Sequence, residues 1–473
     1  MPWNTLIDVS REHELPLTVQ IQQSIKREIA DGALHPGTRL PSSRQLAEDL
    51  RLSRSVVVEA YGQLVAEGYL EAAHGSGTRV AAHLTAAAQT PTLLADSRPE
   101  PVARWDLRAH TTDPAAFPER EWLTAYQRAV RRMEPRDLGY PPLSGLTQLR
   151  AELAGYLGRA RGVHTAQEHV MVVAGFAQAF GMVCEVLPRL GIDTLAVEDP
   201  CHPRQRQFIG ESGLRCLPVP VDENGIDVTA LARSGAHAVL VTPAHQFPTG
   251  VVLSAERRAA LVRWAQEADG WIIEDDYDGD LWLTHGRRPT ALQRLDPSRV
   301  LYAGTASKSL APGMRLGWLA VPPRLHGPLE EARARRDLGC EALTQLAFAE
   351  FLATGLFDRH LRRRRARLRT RAETLHQAVR RHLPEARIAG TTAGLHACLQ
   401  LPHRVDEPSL IAGARRHSVL VRGGRAYHHR PWLARPTLVV GYASPTRTAL
   451  AEAVRVLGEV CAGLTDGRRA RTA

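Results

Sequence analysis

The stretch "RVLYAGTASKSLAPGMRLGW", residues 299–318, decides how the larger part of the chain is read. Its apolar run over 300–303 breaks at Gly304 and Thr305, and a polar segment carrying Lys308 follows. That is the form of a buried strand delivering its end into a loop. Four other runs share it: "HVMVVAG" (169–175), "DTLAVED" (193–199), "HAVLVTP" (237–243) and "GWIIEDD" (270–276). Helical patterns such as "SAERRAALVRWAQEA" (254–268) come between them. This alternation predicts an α/β domain with a mainly parallel sheet covered on both faces, and ligands at the carboxyl ends of its strands.

Lysine usage singles out Lys308. The chain has 60 Lys+Arg, of which only Lys26 and Lys308 are lysine, leaving 60 − 2 = 58 arginines. Where a fixed positive charge suffices, this chain uses arginine. A buried primary amine can lose its proton and attack a carbonyl, which a guanidinium cannot, so Lys308 is a candidate Schiff-base lysine. Other strand ends offer matching chemistry. "GWIIEDDYDGD" (270–280) runs a strand into Glu274, Asp275, Asp276, Tyr277 and Asp278, where a carboxylate could keep a pyridine nitrogen protonated and the phenol could bond a neighbouring ring oxygen. "VVAGFAQAF" (172–180) offers backbone N–H groups at a helix start, a phosphate seat that Thr305, Ser307 and Arg315 could close. Taken singly, these features have plain readings as a solvated acidic turn, a tight connection, or loop residues bonded to their own backbone. In order along one domain, they support one another.

At 473 residues the chain is long enough for two or three domains. No segment is long and apolar enough for a membrane span, and "MPWNTLIDVSREHELPL" (1–17) lacks the pattern of a signal peptide, so a cytoplasmic location is expected. The six cysteines have no CxxC or His/Cys ligand spacing, which predicts reduced thiols and no metal site. The net charge of +10 fits either a polyanion partner or the arginine habit. Eight arginines fall in "RHLRRRRARLRTR" (359–371), either a solvated helix face or a phosphate-contacting patch.

The first 81 residues differ in character. "PLTVQIQQSIKREIADGAL" (16–34) spaces Val19, Ile21, Ile25 and Ile29 as one helix face and stops at Asp31-Gly32. "PSSRQLAEDLRL" (41–52) and "SRSVVVEAYGQLVAEGYL" (53–70) each start with a serine able to cap a helix, a helix-turn-helix. "YLEAAHGSGTRVA" (69–81) reads as a hairpin wing. The second helix would enter the major groove of double-stranded DNA with Ser53, Arg54 and Ser55 at its N-terminus, Arg44 supporting it, and His74 and Gly75 touching the backbone or minor groove. Residues 1–84 hold eight Lys+Arg against ten Asp+Glu, so binding should depend on dimerisation or on the arginine run. An Ala-, Thr- and Pro-rich linker over 82–104 separates this domain from one at 105–465, with a tail at 466–473.

"TPAHQFPTG" (242–250), "IIEDDYDGD" (272–280) and "GTASKSLAPGMRLGW" (304–318) resemble the fold type I, aminotransferase-like domain of the MocR regulators, a GntR subfamily. "LPSSRQLAEDLRLSRSVVVEAYGQLVAEGYLEAAHGSGTRV" (40–80) resembles the GntR winged helix-turn-helix that precedes it. The resemblance implies an α/β effector domain with a smaller C-terminal α+β subdomain. It implies pyridoxal 5'-phosphate as an internal aldimine on Lys308, with Asp275 at the pyridine nitrogen and Tyr277 at O3'. The phosphate would be held by Gly175, Phe176, Ala177, Thr305, Ser307 and Arg315. Tyr140, ahead of "GLTQLR" (145–150), would reach the partner's cofactor in a head-to-tail homodimer. The implied function is a regulator that binds operator DNA and senses an amine, an amino acid or the cofactor itself. The alternatives are a working aminotransferase with a DNA-binding appendage and a scaffold that has lost the cofactor. Two positions depart from the pattern. "EDPCH" (198–202) has His202 where an aromatic stacks on the cofactor ring, and "TLVVGYA" (437–443) has Val439 where an arginine grips the substrate carboxylate, leaving Arg422, Arg425 or Arg435 to serve.

Overall fold

The computed structural model describes residues 7, 9–10, 15–73, 77–82, 103–109, 111–284, 288–391 and 393–472. The chain divides into two units, Met1–Pro101 and Val102–Ala473. The linker expected over 82–104 lies almost wholly outside the described residues, as do His74 and Gly75 in the wing.

In the first unit the helix Leu17–Ala30 buries Ile21, Ile25 and Ile29 against Leu46, Val57 and Leu64. Val19 is only half-buried, and Gln20 turns inward in its place. The Gln20 amide donates to the carbonyls of Leu15 (2.6 Å) and Ser10 (3.0 Å), so a polar residue on the buried face is satisfied by backbone. The helix Ser43–Leu50 is capped by the Ser42 hydroxyl, which accepts from the Gln45 N–H at 3.2 Å. Arg51, in the left-handed region at φ 54°, turns the chain into the helix Arg54–Ala66. Leu70–Ala73 and Gly77–Val80 pair antiparallel, with Leu70 opposite Val80.

The second unit is built on an eight-stranded sheet. Its strands run in the order Val170–Val173, Gly317–Ala320, Val300–Thr305, Trp271–Asp276, Ala238–Val241, Thr194–Asp199, Arg215–Asp222 and Gly225–Ile226. All five sequence-predicted strands are in it, and the pairings from Val300–Thr305 through to Arg215–Asp222 are parallel. Gly317–Ala320 runs antiparallel between Val300–Thr305 and Val170–Val173. The segment between the first two of these, which carries Lys308, therefore returns the chain to the same sheet end without a crossover helix. Gly317 is a forced glycine: a Cβ there would lie 2.9 Å from the Gly304 carbonyl oxygen and 3.0 Å from the Gly175 Cα. That close approach draws three strand ends together.

A second sheet, Arg387–Ala389, His396–Gln400, Thr437–Gly441 and Arg422–Gly423 in that order, is antiparallel and forms the smaller C-terminal layer. The helix Arg447–Thr472 continues through the residues expected to be a tail. The arginine run lies in the helix Leu356–His382 and is not a uniformly solvated face. Arg364 is buried, Arg365 Nε donates to the Asp280 carbonyl at 2.7 Å, Arg369 Nε donates to the Leu283 carbonyl at 3.1 Å, and Arg371 pairs with Asp113 at 2.7 Å. Three of the eight thus pin the helix to neighbouring loops and Arg364 is buried, while Arg359, Arg362, Arg363 and Arg367 stay exposed.

Candidate cofactor site and nucleic-acid interface

The strand ends enclose a cavity of about 260 Å³ lined by Lys308, Asp275, Tyr277, Thr305, Ser307, Arg315, Phe176, Ala177 and His202, among others. Lys308 sits on the one-turn helix Ala306–Ser309. The Thr305 hydroxyl caps that turn, accepting from the Ser307 N–H at 3.1 Å and lying 2.9 Å from the Ser307 hydroxyl. His360 Nε2 meets the Ser309 carbonyl at 2.7 Å and holds the turn from below. Burial pushes the Lys308 pKa down, against the opposing pull of Asp278 and Asp275, so the amine is moved toward its nucleophilic form.

Asp275 is the buried penultimate residue of the strand Trp271–Asp276. Burial, then the charges of Asp276 and Asp278, pushes its pKa well above the ordinary value, while Lys308 opposes the rise. Such a carboxylate gains most from a cationic partner in the cavity, and a protonated ring nitrogen is one. The neighbouring Asp276 faces the other way into a buried pair, 2.5 Å from Arg161 Nε and accepting from the Tyr302 hydroxyl at 2.7 Å. The Tyr277 phenol donates to the His245 carbonyl at 3.0 Å and lies 3.1 Å from its Nδ1, which also meets Asp278 at 2.8 Å. Burial, then the charges of Asp278 and Asp275, holds Tyr277 protonated.

The phosphate seat has a cradle of its own. Gly175 caps the helix Phe176–Arg189 at φ 98°, and a Cβ there would stand 3.5 Å from Arg315 Nη1. Arg315 is itself left-handed at φ 46°, a strained backbone that aims the guanidinium at the start of that helix. A helix N-terminus and a fork of N–H donors on one spot suit a phosphate group. A deprotonation-prone amine, a buried carboxylate, a protonated phenol and a phosphate cradle around one cavity fit pyridoxal 5'-phosphate.

His202 caps the helix Pro203–Glu211, its Nδ1 accepting from the Arg204 N–H at 3.2 Å, and its ring centroid lies 5.7 Å from that of Phe247. Tyr140 is not brought to the cavity: it is 87 % exposed, beside Leu138 and Gly339 in another surface depression. Val439 is buried with Ala109, Tyr427 and Phe247, and none of Arg422, Arg425 and Arg435 lines the cavity. Sequence reasoning missed Phe247, Leu395, His396 and Ala109 on the cavity wall. Only Phe247 stood inside a motif already quoted. It also missed Glu198, which accepts from the Thr242 hydroxyl at 2.6 Å and N–H at 3.1 Å and whose pKa burial raises to about 7. Against the expectation of no metal, His245, Asp278 and His396 bring potential ligand atoms within 4.8 Å of one another. His245 Nδ1 meets Asp278 at 2.8 Å, and its Nε2 is buried without a hydrogen-bond partner.

On the first unit, Arg54 opens its helix exposed, with Nε 3.4 Å from the Ser43 hydroxyl. The Ser53 and Ser55 hydroxyls lie 2.9 Å apart at the helix start without a capping bond from Ser53, and Arg44 is exposed with Glu48 3.3 Å away.

The sequence matches "Aminotransferase class I and II" over residues 112–457 and "Bacterial regulatory proteins, gntR family" over residues 17–80. It is 30% identical to the probable rhizopine catabolism regulatory protein MocR of Rhizobium meliloti, over 96% of this chain and 95% of that one. The chain belongs to the MocR subfamily of GntR regulators. This MocR-type chain is also 34% identical to the pyridoxine biosynthesis transcriptional regulator PdxR of Corynebacterium glutamicum, over 81% of this chain and 83% of that one. Among solved structures, a kynurenine aminotransferase of Pyrococcus horikoshii superposes with a TM-score of 0.70 at 24% identity, covering 76% of this chain and 90% of that one. The α-aminoadipate aminotransferase LysN of Thermus thermophilus, solved with N-(5'-phosphopyridoxyl)-L-leucine, does so with a TM-score of 0.67 at 26% identity, covering 76% and 92%. The family makes the chain a DNA-binding transcriptional regulator with an aminotransferase-like domain. No helix among the described residues is long and apolar enough to cross a membrane.

Proposed function

We propose that this MocR-type regulator carries pyridoxal 5'-phosphate covalently on Lys308 and senses a small amine or amino acid, or the cofactor itself, through that link. The observation that carries the proposal is Lys308 itself, one of two lysines in the chain, its pKa lowered by burial, on the same cavity as Asp275 and the Arg315 guanidinium. The cofactor would supply an electrophilic carbon for amine exchange. Asp275 would hold a proton at the ring nitrogen, Tyr277 would donate to a ring oxygen, and Arg315 with the N-terminus of Phe176–Arg189 would hold the phosphate. The exposure of Tyr140 supports a homodimer in which that residue completes the partner's site, and the exposed Arg54 supports base or phosphate contacts in operator DNA. Binding of the effector would change the dimer, and the linker would carry the change to the paired DNA-binding units.

The test is direct. Protein purified with the cofactor present is reduced with borohydride and mapped by peptide mass, and operator binding is measured with and without cofactor. A reduced adduct at Lys308 and a cofactor-dependent change in DNA binding are expected. A protein with no adduct and no absorbance of bound cofactor would leave the fold without the proposed sensor.

A further inference from the structure

Behind Tyr277 lie two side chains to which the proposed cofactor link gives no part, His245 and Asp278, with side-chain exposures of 1% and 2%. His245 leads the stretch "HQFPTG" (245–250), and Asp278 lies two residues beyond the strand Trp271–Asp276. His245 Nδ1 stands 2.8 Å from Asp278 Oδ2 and 3.1 Å from the Tyr277 hydroxyl. Gly394 packs so closely on the pair that a Cβ there would overlap Asp278 Oδ2.

The protons are placed by what each atom can meet. His245 Nε2 is buried and has no hydrogen-bond partner. A proton there would be a stranded donor, and a proton there alone would also turn the Nδ1 lone pair on the Asp278 carboxylate. The imidazole proton therefore sits on Nδ1, and Asp278 accepts it. An Nδ1 that carries a proton cannot accept from the phenol. The 3.1 Å contact thus runs from the imidazole N–H to the Tyr277 oxygen, and the phenol's own proton goes to the His245 carbonyl at 3.0 Å. A hydroxyl whose oxygen accepts one hydrogen bond is a stronger donor of the next. A negatively charged ring oxygen would draw that donor away from the neutral carbonyl.

We infer that His245 and Asp278 are positioning residues for Tyr277. Asp278 fixes the tautomer of His245, and the imidazole N–H holds and polarises the phenol as a donor to the ring oxygen of the cofactor. This rests on the proposed cofactor link at Lys308 and deepens it by naming what sets the donor beside that link.

The experiment uses the full chain loaded with pyridoxal 5'-phosphate. A cofactor joined to a lysine absorbs in two bands, according to whether the shared proton lies on the linking nitrogen or on the ring oxygen, and a donor at that oxygen favours the first. The ratio of the first band to the second is read at one fixed pH for the wild type, His245→Leu and Asp278→Asn, each with and without Tyr277→Phe. His245→Leu and Asp278→Asn should each lower the ratio about two- to tenfold, the worth of one hydrogen bond. Once Tyr277→Phe is in place, neither should move it further. A shift that persists without the Tyr277 hydroxyl would overturn the inference, because Asp278 would then act through its charge on Lys308. So would a ratio that both variants leave unchanged while borohydride still fixes the cofactor at Lys308, and the link itself would then stand. If His245→Leu does not fold, Asp278→Asn alone decides between these results. Absence of both band and adduct in the wild type would refute the cofactor link, and this inference with it.

Discussion

Arg161→Met removes one half of a buried ion pair directly behind Asp275. Both side chains of the pair are at most 1% exposed, and Arg161 Nε stands 2.5 Å from Asp276 Oδ2. Without Arg161, Asp276 keeps a single donor, the Tyr302 hydroxyl at 2.7 Å, and its Oδ1 already lacks a partner. The stranded carboxylate has two ways out, to stay charged and dehydrated or to take up a proton. Breaking a buried pair from one side costs about 3–5 kcal/mol. Protonating an ordinary aspartate at neutral pH costs roughly 4 kcal/mol, about three pKa units at 1.36 kcal/mol each, and this sets the ceiling. The expected loss is therefore roughly 3–4 kcal/mol near pH 7, shrinking by about 1.4 kcal/mol for each pH unit toward acid as protonation becomes easier. Urea denaturation of the full chain, followed by tryptophan fluorescence at several pH values, measures it. Asp276→Asn in the Arg161→Met background should recover most of the loss, because no charge is then stranded. A loss below about 1 kcal/mol, or one that Asp276→Asn fails to recover, would refute the account of Arg161 as the counter-charge that lets adjacent carboxylates share this strand end.

Three further outcomes are expected. Lys308→Arg keeps a positive charge but removes the nucleophilic amine, so the absorbance band of the linked cofactor and its borohydride adduct should vanish while operator binding persists in at least one state. Peptide mapping and a DNA-binding titration check both parts. Arg54→Ala should weaken binding to the cognate operator by roughly 1–3 kcal/mol and leave cofactor absorbance unchanged, measured by titration at fixed salt. Glu198→Gln tests the carboxyl that burial raises from 4.5 to about 7. A folded-state pKa above the unfolded one gives stability that is present below the unfolded value and lost as pH rises through the folded one. The variant should therefore gain on the wild type by up to roughly 3 kcal/mol between about pH 4.5 and pH 8. A gap between the two melting curves that does not widen with pH would refute it.

The parts of the molecule legible in the sequence are those where a local pattern and a local structure coincide. A strand buried on both faces is a continuous apolar run, so Trp271–Asp276 and Val300–Thr305 stood out, and so did the residues at their ends. Gly317–Ala320 did not. It is four residues long, directly follows the loop that carries Arg315, and becomes a strand only because glycines let three backbones approach. Helix-facing periodicity misassigned Val19 because burial of Gln20 depends on carbonyls up to ten residues away, which no period encodes. Cavity-wall residues show the limit most clearly. Ala109 and His396 come from segments nearly three hundred residues apart and meet only through the packing of the C-terminal sheet against the strand ends. The arginine run was ambiguous for a related reason. Composition counts charges, whereas Arg364, Arg365, Arg369 and Arg371 are distinguished from Arg359, Arg362, Arg363 and Arg367 only by which loops lie against each face of their helix.

The chemistry of the cavity follows the same division. Lys308, Asp275 and Tyr277 sit at or just beyond strand ends whose sequence announces them and Arg315 in the loop that follows, and on the proposed reading they would hold and orient the cofactor. On the proposed reading, what the cofactor exchanges with would be set by the rest of the cavity wall, Ala109, Phe247 and Leu395 with Val439 packed behind, residues whose types are ordinary anywhere in a core. Cofactor and effector specificity would then be separable in this chain. Substitutions at the strand ends should abolish the linked cofactor, whereas substitutions on the wall should leave it intact and change which amine displaces it.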